Sequence, residues 1–149
     1  MINSIVLAED NLEHCFFFRK AVKEVAPQIL YTQVHDGDRL INLLESYLPD
    51  LLFLDLDMPC KNGVQCIKEI RENRAYRSMP IIVFTISHQY NTIQTTYACG
   101  ANLYMIKPDE YGLLVRSLRQ ILTMDWSKPK TITKMYFQDN QYIPYRCTA

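Results

Sequence analysis

Short unbroken apolar runs and longer helical stripes alternate along this chain. Ser4 to Ala8 contains the run Ile5-Val6-Leu7-Ala8, the pattern of a strand covered on both faces. Asn11 to Val25 reads as a helix with Phe17, Phe18, Ala21, Val22 and Val25 on one stripe, ended by Pro27. Ile29 to Val34 reads as a second strand, closed by the turn signal Asp36-Gly37. Asp38 is expected to cap a helix bearing Leu40, Leu43, Leu44 and Tyr47, which Pro49 breaks. Leu51 to Leu54 is the third strand, and Val64 to Glu72 the third helix, after Gly63. Ile81 to Phe84, Leu103 to Ile106 and the helix Tyr111 to Leu122 continue the alternation. His88 to Cys99 reads as a helix stopped by Gly100, with low propensity and a thin apolar stripe. Five such strand–helix units predict an α/β fold, a doubly wound five-stranded parallel sheet between two helical layers.

From Asp125 the character changes. Pro129 and Pro144 interrupt any long periodicity, yet Trp126, Tyr136, Phe137, Tyr142 and Tyr145 make the segment more aromatic than a solvated linker. It is expected to dock on the domain before it. The expected organisation is therefore one domain over residues 1–124 and a short aromatic extension over 125–149.

The run Leu51–Leu54 leads straight into Asp55, and open α/β sheets bind ligands at the carboxyl ends of their strands. Glu9-Asp10, Thr85 and Lys107 end three other predicted strands. In a parallel sheet these residues meet at one edge. Two carboxylates about 4 Å apart repel by about 4 kcal/mol at an effective dielectric near 20, and Lys107 alone cannot neutralise three. A divalent cation or a raised pKa is required, and hard oxygen ligands with open positions favour Mg²⁺. Charge adds an exclusion: Lys+Arg and Asp+Glu both total 16, which leaves no basic footprint for nucleic acid. The 149 residues fit one domain, and no apolar run reaches the length of a membrane span. The five cysteines form no CxxC pair, so free thiols and a cytoplasmic setting are expected.

The ordered set resembles the receiver domain of two-component response regulators, a CheY-like, flavodoxin-type fold, over about residues 3 to 124. The motifs are Glu9-Asp10, the run Asp55-Leu56-Asp57-Met58-Pro59-Cys60-Lys61-Asn62-Gly63, Thr85, and Lys107-Pro108. The resemblance implies the strand order 2-1-3-4-5 and phosphorylation of Asp55 by a histidine kinase or histidine phosphotransfer protein. It implies Mg²⁺ bound by Asp10, Asp55 and the backbone carbonyl of Asp57, with Glu9 acting through water. Thr85 and Lys107 would hold phosphoryl oxygens, and Thr85 and Tyr104 would form the conformational switch. The family also commonly has a cis bond before Pro108. Such a protein catalyses only its own phosphorylation and dephosphorylation.

Two departures matter. Ile86 stands where the family usually has a small residue and is expected to narrow the mouth of the acceptor pocket. Asp57 adds a carboxylate that could steer or hold off the hydrolytic water. His14 and His88 flank the site and read as ordinary helix histidines, and Phe16-Phe17-Phe18 as core with one exposed ring. The expected function is a stand-alone response regulator signalling through a downstream protein, with a homodimer built on the extension among the contacts it allows. The alternatives are a phosphorylation-independent binding module and a phosphatase using Asp55-Leu56-Asp57 as a DxD motif.

Overall fold

The computed structural model describes residues 1–148. Five strands pair in parallel: β1 (Ser4–Ala8), β2 (Leu30–Val34), β3 (Leu51–Leu54), β4 (Ile81–Thr85) and β5 (Leu103–Ile106), in the order β2-β1-β3-β4-β5. Between and after them run α1 (Leu12–Val25), α2 (Gly37–Ser46), α3 (Gly63–Glu72), α4 (Tyr90–Cys99) and α5 (Tyr111–Leu122). Side chains along a strand alternate faces, so Ile5, Leu7 and Phe53 enter one core while Val6, Ala8, Leu52 and Leu54 enter the other. The first core is closed by α1 and α5, the second by α2, α3 and α4. At the centre of the first, Phe18 meets Phe53 and Phe84 edge-on, with ring centroids 4.9 and 5.1 Å away.

Local chemistry sets the boundaries. Asn11 caps α1 by accepting from the His14 N–H, and Asn62 and Gln65 form a capping box at α3. Asp36, not Asp38, caps α2, because its side chain accepts from the Arg39 N–H and Asp38 lies in the first turn. Only Phe18 of the Phe16-Phe17-Phe18 run is buried; Phe16 and Phe17 are both exposed. The stripe on α1 is thus narrower than the sequence suggests. No cis peptide bond occurs among the described residues, and Lys107–Pro108 is trans, the isomer favoured for X-Pro generally.

The tail builds further elements: α6 (Pro129–Met135) and a hairpin, β6 (Phe137–Gln138) with β7 (Gln141–Tyr142). Asp139 and Asn140 both have positive φ, the two-residue turn that matches strand twist. Trp126, Ile132 and Tyr145 are buried in the first core, and Tyr142 packs on the second. The chain thereby wraps the exposed edge of β5, where the Tyr145 N–H donates to the Tyr104 carbonyl at 2.8 Å. Gln94 of α4 grips the hairpin twice, donating to the Tyr142 carbonyl at 2.7 Å and accepting from its N–H at 2.9 Å.

Trp126 is 7% exposed and its Nε1–H donates to the Ile121 carbonyl at 2.8 Å. Trp126→Ala is expected to cost about 3 kcal/mol in urea unfolding. A loss below about 0.5 kcal/mol, the size of a surface substitution, would show that the tail does not belong to the folding unit.

Candidate functional site

Strand register brings the chemistry together. Ala8 lies beside Leu54, Leu54 beside Val83, and Thr85 beside Ile106. The residues that follow at each carboxyl end, Glu9, Asp55 and Lys107, therefore share one edge with Thr85. Backbone bonds hold them: Asp55 N–H to the Ala8 carbonyl at 2.9 Å, and Lys107 N–H to the Thr85 carbonyl at 2.7 Å. Gly63 lets the start of α3 approach this edge, since an added Cβ would lie 2.5 Å from the Asp55 carbonyl oxygen. In the same loop Cys60 has φ 69°, and the Lys61 N–H closes a tight turn over it onto the Pro59 carbonyl at 2.8 Å.

Glu9, Asp10 and Asp55 each offer a carboxylate oxygen, and these lie within 4.8 Å of one another. Lys107 pairs closely with Glu9 Oε1 and approaches Asp55 Oδ2 at 3.5 Å. Glu9 and Asp55 are buried, whereas Asp10 is exposed. Burial, followed by the hydrogen bond and charge of Glu9, pushes the Asp55 carboxyl up to about 6; Lys107 and the Asp57 N–H oppose this. One ammonium against three carboxylates leaves an excess of negative charge on hard oxygen donors. This donor set fits a Mg²⁺-like cation. The Asp57 side chain is exposed and stands outside the carboxylate trio.

Thr85 is fully buried, and its Oγ1 has no hydrogen-bond partner among the described residues. Ile86 is 65% exposed and borders a cavity of about 400 Å³ with Lys107, His14, Phe17 and Tyr111. It sits at the mouth but turns largely to solvent. Tyr104 is fully buried, its hydroxyl donating to the Ser87 carbonyl at 2.7 Å, and burial raises it to about 12. The ring is therefore already turned inward.

His14, which the sequence reads as an ordinary helix histidine flanking the site, is joined to the site. Its Nδ1 lies 2.9 Å from Lys107 Nζ. An ammonium only donates, so Nδ1 accepts and the imidazole is neutral. Burial, then the Lys107 charge, lowers its pKa in agreement. The available signal was position: three residues after the Asn11 cap, the first turn of α1 faces the sheet edge. His88 is exposed.

Residues 5–119 match the family model described as the response regulator receiver domain. The chain belongs to this family. Within the receiver domain, 102 residues are 34% identical to the nitrate/nitrite response regulator protein NarL of Escherichia coli K12, covering 68% of this chain and 46% of NarL. The chain thus spans about half the length of that relative. The fold matches the phosphorylated cyanobacterial phytochrome response regulator RcpA, with TM-score 0.75 and 24% identity over 81% of this chain and 91% of RcpA. It also matches the receiver domain of the sensor histidine kinase PA1611 from Pseudomonas aeruginosa PAO1, which holds a magnesium ion in its active-site cleft. That match has TM-score 0.70 and 24% identity, over 82% of this chain and 95% of that receiver-domain chain. Strand order and helical layers are those of CheY-like receivers. Among the described residues no helix is long and apolar enough to cross a membrane.

The raised Asp55 pKa has a stability consequence. A carboxyl that holds its proton more tightly in the folded state stabilises the fold below about pH 4, and that contribution is lost as pH rises through about 6. In metal-free buffer, Asp55→Asn is therefore expected to exceed wild type by about 2 kcal/mol at pH 7.5 and to match it at about pH 4. Urea unfolding in EDTA at the two pH values measures this. A variant less stable than wild type at pH 7.5 would contradict the charge argument.

Proposed function

We propose that this receiver domain accepts a phosphoryl group on Asp55 from a histidine kinase or histidine phosphotransfer protein and passes the signal on through protein contacts. The observation that carries the reading is the unpartnered Thr85 hydroxyl, buried on the strand beside the one that ends at Asp55. A buried hydroxyl without a partner costs free energy unless a ligand oxygen meets it, and a phosphoryl oxygen on Asp55 would. Lys107, 3.5 Å from Asp55, would hold a second oxygen. Glu9, Asp10 and Asp55, with the Asp57 backbone carbonyl, would hold Mg²⁺. Bound there, the cation would neutralise charge on the acceptor and on the transferring group.

In the transfer, an Asp55 carboxylate oxygen attacks phosphorus and the phosphorus–nitrogen bond of the donor phosphohistidine breaks. His14 accepts a hydrogen bond from Lys107 and so positions the ammonium near Asp55. Exposed Phe17 and Ile86 and the ring of Tyr111 border the neighbouring cavity, which Lys107 and His14 also line, and such apolar surface suits contact with a donor protein more than with a small polar donor. The domain then catalyses only its own phosphorylation and dephosphorylation.

Thr85 and Tyr104 would form the switch. Tyr104 is already inward, so a phosphoryl group that draws on Thr85 would stabilise this arrangement rather than create it, a shift of population. The output would reach the extension, residues 125–149, through Tyr97. Its hydroxyl accepts from the Tyr104 N–H and donates to the Ile143 carbonyl, both at 3.0 Å.

Incubation with Mg²⁺ and a phosphodonor, read by intact-mass spectrometry, tests the assignment. Wild type is expected to gain one phosphoryl group and Asp55→Asn none; labelling of both, or of neither by any donor including a histidine kinase, would defeat it. Ile86→Ala is expected to speed labelling by acetyl phosphate about threefold, under 1 kcal/mol of barrier, consistent with its partial exposure. An unchanged rate would remove Ile86 from any gating role.

A further inference from the structure

A second cavity lies away from the acceptor edge. It holds about 820 Å³ between the end of α3 and the turn after it, the Cys99–Asn102 turn, and the tail. That volume is in the range of small-molecule sites. Five cations border it, Arg71, Arg77, Lys128, Lys130 and Lys134, and no aspartate or glutamate does. In a chain of formal net charge +0, this is a local concentration of one sign.

The charges are uncompensated. Arg71 is half-buried and spends its guanidinium on neutral acceptors: the carbonyls of Gly100, Tyr76 and Met79 and the Asn102 side chain, at 2.8–2.9 Å. Among the described residues, none of the five cations lies within 4 Å of a carboxylate. Aromatic rings complete the wall. Tyr97 and Tyr142 stack at 4.7 Å, Phe137 meets Tyr142 edge-on at 4.7 Å, and all three border the cavity. Gly100, at φ 120°, keeps the floor low over Arg71.

We propose that this cavity between the receiver domain and its tail is a binding site for a nucleotide. The lysines and Arg77 meet its phosphates, and the Phe137–Tyr142–Tyr97 wall takes its base. Concavity favours a small molecule over a nucleic-acid strand, which would need an extended basic track. The mixed lining favours a phosphorylated aromatic compound over a bare anion. This site is separate from the acceptor and does not rest on the phosphoryl-transfer reading.

Isothermal titration of the full chain with ATP and GTP, in EDTA and low salt, tests it. Tripolyphosphate and adenosine serve as the two half-ligands. Saturable binding of at least one nucleotide is expected, tighter than either half-ligand. The exposed substitutions Lys130→Glu and Lys134→Glu should each weaken it about tenfold or more. Lys23→Glu on α1, away from the cavity, should leave it unchanged. No saturable binding by either nucleotide overturns the proposal. So does equal binding of tripolyphosphate, or indifference to both cavity charge reversals in variants that keep wild-type melting temperatures.

Discussion

Three carboxylates meet one ammonium at the carboxyl edge of the sheet, and the organisation of this end of the molecule follows from that imbalance. Parallel pairing forces it, because every strand delivers its terminal residue to the same side. Lys107 is drawn onto Glu9 and toward Asp55, and His14 must stay neutral to share that ammonium. Asp55, hemmed by Glu9 and by burial, keeps its proton to about pH 6. A fold selected only for stability would replace such residues with apolar ones. Glu9 and Asp55, buried beside the exposed Asp10, instead form a set of hard oxygen donors that fits a Mg²⁺-like cation.

Much of this was legible because buried parallel strands write themselves plainly. Leu51–Leu54 and Ile81–Phe84 are unbroken apolar runs, and the polar residue after each is at once a boundary and a site residue. Site residues on strand ends needed no tertiary information beyond parallel pairing. What stayed hidden depends on contacts distant in sequence. His14 is ordinary until β5 brings Lys107 beside it. The choice of Asp36 over Asp38 as cap turns on backbone angles that composition does not encode. Seven-residue α6 buries only Ile132, too little to raise a helical period, and the Asp139-Asn140 turn lacks the glycine that usually announces a tight hairpin.

The same logic explains α4. Its polar sequence gives weak intrinsic helix propensity, and its start has no side-chain cap. Those polar groups are engaged elsewhere. Gln94 and Tyr97 bond the tail, and Thr96 bonds back to the Thr92 and Ile93 carbonyls. Low helical propensity here is the cost of a surface shaped to hold another segment of the chain.

The Tyr97 hydroxyl stands between two neighbours, Tyr104 on the sheet and Ile143 on the tail. Two equilibria that share one group are linked, and linkage runs equally in both directions. If chemistry at the acceptor shifts the ease with which the tail detaches by some factor, detaching the tail must shift the equilibrium at the acceptor by the same factor. A protein that merely grasped the tail, with no contact near Asp55, would thereby act as a regulator of phosphorylation. On the proposed reading, residues 125–148 would be an input as much as an output.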